Sequence, residues 1–292
     1  MAEAFHGVDV VRIRAGVRSG DRDRAATEEP LEVRLHDRPF AVIMRTPGAD
    51  RELAAGFLLA EGILKSADDL GTIEYCQDPS AEHPENIINA KLVDGSAETL
   101  AKFLAERRNV TTHSSCGMCG RLSIDSLKTD LPALAVPWAV PASTIVELPG
   151  RLRDAQAVFE ETGGLHAAGL FTRDAQLTTI AEDVGRHNAV DKVIGRMVIQ
   201  ERLPLDNHIL FVSGRTSFEI VQKAFLAGIP MVAAVSAPSS LAIDLAEECG
   251  ITLIGFLRGQ NFNVYTHSER VTTPAAPEVN HRADIRNRTQ GR

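Results

Sequence analysis

The stretch ILFVSGRTSFEIVQKAFLAGIPMVAAVS at residues 209–236 decides the fold class. It begins with an apolar run of strand length at 209–212, continues with apolar residues at helical spacing over 218–227, and ends with a second apolar run at 231–236. Strands that are apolar throughout are typical of a sheet covered on both faces. This alternation of strand and helix predicts an α/β fold.

The same alternation extends outward from this stretch. In the second half of the chain, the patterns predict strands at 166–171, 176–181 and 251–257 and helices at 152–161, 188–200 and 241–248. In the first half, they predict strands at 31–35, 40–44, 72–76 and 87–93 and helices at 51–64 and 98–107. Because 31–44 and 166–181 each have the pattern of a hairpin, we expect a mixed β-sheet with helices on both faces.

Changes in composition divide the chain into four parts. Residues 1–30 are highly charged and predict a flexible N-terminal arm with at most one strand, at 8–13. A proline-rich connector at 132–149 suggests a hinge between two lobes. We therefore expect a smaller N-terminal lobe at 31–135, a C-terminal α/β lobe at 136–270, and a flexible tail at 271–292.

Net charge and cysteine content limit the classes of function. The formal net charge is −8, so no general field attracts nucleic acid or an anionic membrane. No apolar run approaches the length of a membrane span, and residues 1–9 lack the pattern of an export signal. The four cysteines do not form a disulfide framework pattern, because two of them are only three residues apart. We expect a cytoplasmic protein that binds neither nucleic acid nor membrane.

That close pair lies in the segment SSCGMCG at 114–120 and contains Cys116 and Cys119. The Cys-x-x-Cys spacing serves zinc ligation, dithiol redox chemistry and nucleophilic sulfur transfer. The flanking glycines suit a loop that approaches another molecule closely, and a helix beginning near Cys119 would favour the thiolate. A four-cysteine zinc site would need a second pair, which Cys76 and Cys249 do not form.

Polar residues are concentrated where predicted strands end. The string EDVGRHNAVDK at 182–192 runs from a strand into a helix and offers Arg186 and Lys192 for a phosphate and His187 for a proton. A second such turn contains Ser213, Gly214 and Arg215. A third turn, at 236–240, contains Pro238 and also fits a simple helix cap. A fourth turn follows the last buried strand and carries Phe256, Leu257, Arg258, Gly259, Gln260 and Asn261. Strand ends of this kind bind ligands in open α/β sheets, so we expect one phosphorylated or nucleotide-like ligand.

These segments resemble the formate dehydrogenase accessory sulfurtransferase family (FdhD type). The resemblance covers roughly residues 31–267, and its most specific part is 182–192. It is carried by TPG at 46–48, SSCGMCG at 114–120, TGGLHAA at 162–168, EDVGRHNAVDK at 182–192, SGR at 213–215 and GFLRG at 255–259.

The resemblance implies a cytidine deaminase-like fold, a homodimer and a sulfur carrier function. Such a protein accepts persulfide sulfur from a cysteine desulfurase and transfers it to the molybdenum cofactor of formate dehydrogenase. Cys116 would carry the sulfur, with Cys119 assisting. The cofactor, molybdenum bis-molybdopterin guanine dinucleotide, would be bound as a substrate without a permanent metal, along residues 256–261. We expect its phosphates and guanines to lie near Arg186, Arg215 and Arg258, with His187, Ser213 and Gly214 beside them.

Two alternatives remain open. A pterin cofactor chaperone would bind the same cofactor without transferring sulfur. A zinc-dependent deaminase-like hydrolase is suggested by His83 and Glu85 about thirty residues before the cysteine pair. Pro84 splits that triplet, and Ser115 stands where those enzymes have a proline, so the pattern departs from theirs.

Overall fold

The predicted alternation is present in the computed structural model, which describes residues 3–93 and 131–274. The strands are β1 Phe5–Arg14, β2 Val17–Ala26, β3 Glu29–Leu35, β4 Arg38–Arg45, β5 Leu70–Tyr75, β6 Ile87–Leu92, β7 Val140–Pro141, β8 His166–Thr172, β9 Leu177–Asp183, β10 His208–Val212, β11 Met231–Ala234, β12 Thr252–Arg258, β13 Asn261–Val264 and β14 Val271–Thr272. The helices are α1 Asp50–Ala60, α2 Ala142–Ile145, α3 Leu148–Asp154, α4 Ala157–Thr162, α5 Arg186–Ile199, α6 Phe218–Leu226 and α7 Ser240–Cys249. Short 3₁₀ turns lie at Ala67–Asp69, Pro84–Asn86 and Ser268–Arg270.

A six-stranded sheet is the centre of the fold. Its strand order is β13-β12-β11-β10-β8-β9. The strands β10, β11 and β12 are parallel, whereas β8 and β13 run antiparallel to their neighbours, as does β9 to β8. The prediction of a mixed α/β sheet is therefore confirmed.

Helices cover both faces of this sheet, as predicted. On one face, α5, α6 and α7 pack over inward residues such as Leu210 and Val232. On the other face, α2 and α3 pack over residues such as Phe211 and Met231. Alternating side chains of one strand thus reach two separate apolar layers, which explains why the strands are apolar throughout.

The proline-rich segment 132–149 is not a hinge. Trp138, Val140, Ile145 and Leu148 are buried in the apolar layer on the second face of the sheet. The indole of Trp138 also donates a 2.9 Å hydrogen bond to the carbonyl of Asp206. The apolar residues between the prolines pack against the sheet, so this segment forms a close-packed cover over it.

The first half of the chain adds a second sheet to the same core. This sheet has the order β4-β3-β6-β5 and is joined to the larger sheet by α1. Helix α1 crosses α5 so closely that a Cβ on Gly56 or Gly195 would overlap the backbone of the other helix. Leu31 of β3 and Leu210 of β10 belong to one continuous hydrophobic cluster. The two predicted lobes therefore share a core.

The N-terminal arm differs from its prediction. Residues 5–26 form a two-stranded antiparallel ribbon, β1 and β2, where the sequence predicted at most one strand. Charged residues face each other across it; Arg12 pairs with Asp21 at 2.8 Å. At its base, Arg24 forms an ion pair with Glu161 of α4. Cross-strand charge pairing supplies a reason for strands in a segment with little apolar periodicity.

Two further findings complete the fold. The helix predicted at 152–161 is divided into α3 and α4, and it ends at Gly163 with a positive φ of 65°, as a helix terminus of this kind requires. No helix in residues 3–93 or 131–274 is both long enough and apolar enough to cross a membrane. The helix predicted at 98–107 lies outside the described residues.

Candidate functional site

Four strands of the large sheet end at one edge, where β8 also begins. We call this the carboxyl edge; it comprises His166 and the turns 183–187, 213–217, 235–239 and 256–261. Backbone hydrogen bonds connect neighbouring turns, from Ser213 to Ala167, from Thr216 to Ala237 and from Phe256 to Ser236. The structure thus brings all four polar turns predicted from the second half of the sequence into one row.

Helices α5 and α6 both begin at the carboxyl edge. Their N-cap residues, Gly185 and Ser217, make no side-chain capping hydrogen bond, whereas Ser239 caps α7. The positive ends of α5 and α6 therefore face the edge without a capping side chain. Such paired helix N-termini favour the binding of an anion.

A buried ion pair fixes the first turn. Asp183 is fully buried, and its Oδ2 lies 2.7 Å from Nζ of Lys192, which is 2% exposed. The other oxygen accepts hydrogen bonds of 2.8 Å from the backbone of Gly185 and from the amide of Asn188. Thr46 also donates its backbone N–H to Asp183. Lys192, which the sequence suggested for phosphate binding, is therefore a structural partner of Asp183.

A second buried cluster lies behind the heads of α5 and α6. Nε2 of His187 is 3.0 Å from the hydroxyl of Ser217 and 2.9 Å from a carboxylate oxygen of Glu219. One turn further along, Lys223 bonds both carboxylate oxygens of Asp191, at 2.7 and 2.9 Å. Burial raises the pKa of Asp191 to about 6, although Lys223 opposes the shift. His187 is 5% exposed, so it acts from below the edge.

His166 and Arg186 flank Gly214 at the middle of the edge. A β-carbon built on Gly214 would lie 3.4 Å from Nδ1 of His166 and 3.7 Å from Cδ of Arg186. Nε of Arg186 and the hydroxyl of Thr216 are buried and have no hydrogen-bond partner within the described ranges. Glycine at 214 therefore leaves room above two polar side chains, one of which carries an unpaired donor.

The turn at 256–261 is irregular. The pairing register shifts between Gly255 and Arg258, and Phe256 has a φ of 54°, which is rare for a residue with a bulky side chain. Phe256 is 43% exposed, whereas Leu257 is fully buried in the apolar layer below. Leu257 could therefore contact a ligand through its backbone but not through its side chain, which limits its predicted role in binding to the backbone. Nε of Arg258 donates a 3.1 Å hydrogen bond to the carbonyl of Val235.

The other predicted ligand residues are accessible. Arg215, Arg258, Gly259, Gln260 and Asn261 are exposed, and Arg186, Ser213 and Gly214 are half-buried. The hydroxyl of Ser213 accepts a 2.9 Å hydrogen bond from the backbone of Ala167, so it also holds β8 against the turn. Three arginines distributed along one edge suit a ligand with more than one anionic group.

Sequence analysis assigned no ligand role to two residues at or just behind the carboxyl edge, and the two predicted catalytic cysteines cannot be compared. His166 was not among the predicted ligand residues, although it stands at the start of a strand, opposite Asp183 in the β8–β9 register. Glu219 gave no local signal, because its contact with His187 joins two helices. Cys116 and Cys119 lie outside the described residues.

The local structure around His83 differs from the one that the deaminase-like alternative predicts. His83 and Glu85 are more than half exposed and lie 3.5 Å apart at a 3₁₀ turn, which leads directly into strand β6. A zinc nucleobase deaminase would open a helix with these residues. Within residues 3–93 and 131–274, no group of three histidine, cysteine or acidic side chains is placed to hold a metal ion.

Known proteins resemble this chain over most of its length. Residues 26–272 match the FdhD/NarQ family. A sulfur carrier protein FdhD from Streptomyces coelicolor is 50% identical over 91% of this chain and 95% of its own length. Another, from Sulfurisphaera tokodaii, is 45% identical over 90% of this chain and 98% of its own length.

Solved structures agree with these sequence matches. The crystal structure of a formate dehydrogenase accessory protein from Desulfotalea psychrophila has a TM-score of 0.73 and 26% sequence identity, covering 92% of this chain and all of that protein. By its sequence and by its structure, the chain belongs to the FdhD/NarQ family.

Proposed function

We propose that this protein is a sulfur carrier, a sulfurtransferase that accepts sulfur on Cys116 and delivers it to the molybdenum cofactor required by formate dehydrogenase. The observation that carries the proposal is the 50% identity with a sulfur carrier protein over 95% of that protein's length. The segment 114–120 supplies the two thiols that such chemistry needs.

In the loading step, the thiolate of Cys116 attacks the outer sulfur of a persulfide on a cysteine desulfurase. The sulfur–sulfur bond of the donor breaks, and the desulfurase cysteine leaves as a thiolate. Cys116 is then a persulfide, and no external oxidant or reductant is consumed.

Cys119 supplies the electrons for delivery in this proposal. Its thiolate attacks Sγ of the Cys116 persulfide, so that a Cys116–Cys119 disulfide forms and the outer sulfur leaves at the oxidation level of sulfide. The molybdenum cofactor is the substrate that receives this sulfur. A cellular thiol reductant then restores the two cysteines.

The carboxyl edge is the proposed binding site for that cofactor, a molybdenum bis-molybdopterin guanine dinucleotide. Its diphosphate groups would lie at the heads of α5 and α6, with Arg186, Arg215 and Arg258 pairing with the oxygens. The main negative charge at the same edge, Asp183, is already neutralised by Lys192. The edge is therefore selective for an anion.

The test is intact-protein mass spectrometry after incubation with a cysteine desulfurase and cysteine. The wild type should gain the mass of one sulfur atom, and a thiol reductant should remove it. Cys116→Ala should lose this gain, while Cys76→Ala, which changes a partly exposed cysteine elsewhere, should keep it. A gain of equal size in Cys116→Ala would exclude the proposed carrier residue.

A second assay separates sulfur transfer from cofactor binding alone. If the protein only escorted the cofactor, Cys116→Ala would still restore formate dehydrogenase activity in cells that lack this protein. We expect it not to. By the same resemblance we propose a homodimer in the cytoplasm, which sedimentation velocity and cell fractionation would check.

A further inference from the structure

His166 lies in a position that no part of the proposed function uses. It is the first residue of β8, and its ring packs against Gly214 beside the side chain of Arg186. Both groups border the space that Gly214 leaves above the carboxyl edge. A half-buried imidazole beside a guanidinium needs a reason, because two groups that can both be cationic disfavour each other.

The surroundings disfavour the protonated form of this imidazole in the free protein. Burial lowers the pKa of His166, the charge of Arg186 and the nearby His187 lower it further, and Asp183 opposes them. Asp183 is directly opposite in the strand register, but its charge is shared with Lys192. In the turn after β10, the hydroxyl of Ser213 accepts a hydrogen bond from the backbone of Ala167, and Arg215 is exposed.

We propose that His166 binds an anionic phosphate group of the ligand together with Arg186 and takes up a proton as the ligand binds. This inference rests on the proposed function, since it concerns the same ligand edge. An anion placed between the two side chains reverses the local balance of charge and favours the imidazolium form. Ring N–H and guanidinium N–H groups would then both donate to phosphate oxygens.

The proposed proton uptake predicts the direction in which ligand affinity changes with pH. Ligand affinity that comes from the imidazolium is present at low pH and is lost as the pH rises through the pKa that His166 has in the complex. Between the pKa of the free protein and that of the complex, affinity changes by up to about tenfold per pH unit. A purely structural histidine would show no such dependence.

The chain offers a matched control. His208 is also half-buried at the start of a strand, and burial and the charge of Arg202 lower its pKa as well. It begins β10 opposite Thr172, at the other edge of the sheet. His208→Gln therefore repeats the chemical change of His166→Gln away from the proposed ligand.

The experiment is calorimetric titration of the full chain with GDP at pH 6, 7 and 8, in buffers with different ionisation enthalpies. Wild type and His208→Gln should take up the same fraction of a proton at pH 7, and His166→Gln should take up less. The β-phosphate of GDP titrates in this range too, but its contribution cancels between variants at one pH. Equal proton uptake in His166→Gln and wild type would overturn the inference.

A spectroscopic measurement on the wild type guards against a folding defect in the variant. With isotopically labelled histidine, the ring signals of His166 should titrate at a higher pH when GDP is bound, while those of His208 should not move. An unmoved His166 titration would contradict the proposal. If GDP fails to bind while Cys116 still loads sulfur, this inference is wrong and the carrier function stands. If GDP binding is linked to protons but Cys116 loads no sulfur, the inference stands and the carrier function is wrong.

Discussion

Lys192 and Asp183 form a buried ion pair, with 2.7 Å between Nζ and Oδ2, and neither side chain is more than 2% exposed. The same two residues also hold Thr46, whose carbonyl accepts a 2.7 Å hydrogen bond from Lys192. One charge pair thus connects the end of β4 to the first turn of the carboxyl edge. Its loss should affect both stability and the shape of the site.

We expect Lys192→Met to lower the free energy of unfolding by about 3–5 kcal/mol, because it leaves a carboxylate buried without its cation. The control is Arg151→Met, which breaks an exposed pair between Arg151 of α3 and Glu147 just before the helix and should cost less than about 1 kcal/mol. Urea unfolding followed by circular dichroism measures both. Similar losses in the two variants would contradict the central role of the buried pair.

The close crossing of α1 and α5 predicts that Gly195 tolerates no side chain. Gly195→Ala should destabilise the protein by more than about 2 kcal/mol, since its β-carbon would overlap the backbone of Glu52. Gly150→Ala is the control, because a β-carbon there meets nothing within 4 Å and alanine favours the helix. Thermal unfolding should show a lower midpoint only for Gly195→Ala; an unchanged midpoint would mean that the helices can separate at little cost.

The raised pKa of Asp191 predicts a dependence of stability on pH. Because burial raises this pKa from 3.8 to about 6, the folded state binds the proton more tightly than the unfolded state. The resulting stabilisation is fully present below about pH 4 and is lost as the pH rises through 6. Comparing unfolding free energies of wild type and Asp191→Asn from pH 4 to 8 should show a difference that changes over this range. The control is Asp174→Asn, which changes an exposed residue; its unfolding free energy should differ from that of wild type by the same amount at every pH. The same result for Asp191→Asn would argue against the raised pKa of Asp191.

Cysteine reactivity should separate Cys249 from the others. Cys249 is 4% exposed, and burial raises its pKa to about 11, so the thiol stays protonated near neutral pH. Iodoacetamide at pH 8 should leave Cys249 unmodified in the native protein and modify it after denaturation. Peptide mass mapping reads this directly. Native modification of Cys249 as fast as that of Cys116 would refute its protection.

Arginine at the end of β12 should contribute to nucleotide binding. Arg258→Ala should weaken GDP binding about tenfold, the effect expected for losing a charged hydrogen bond. Arg173→Ala is the control, since Arg173 is exposed in the turn at the opposite edge, next to Trp138. Calorimetric affinities for the two variants decide it; unchanged affinity in Arg258→Ala would remove that residue from the site.

The order of strands and helices from β8 to β12 could be predicted from the sequence alone. Apolar runs such as 209–212 and 231–236 and the helical spacing of 218–227 are local signals, and the structure has each element within a few residues of its predicted position. The carboxyl edge follows from them, because the ends of parallel strands coincide and the polar turns are attached to those ends. The cysteine pair is also visible only as sequence, at 116 and 119.

Only the tertiary structure decided which polar groups face a ligand and which face each other. Lys192 and Arg186 are both cationic and only six residues apart in one string, yet one is buried against Asp183 and the other lies beside Gly214. Asp183 also accepts a hydrogen bond from the backbone of Thr46, which is 137 residues away in the sequence. No local pattern records such a contact, because its free energy depends on how distant segments pack. Burial and pairing are properties of the folded chain, whereas periodicity is a property of the residues themselves.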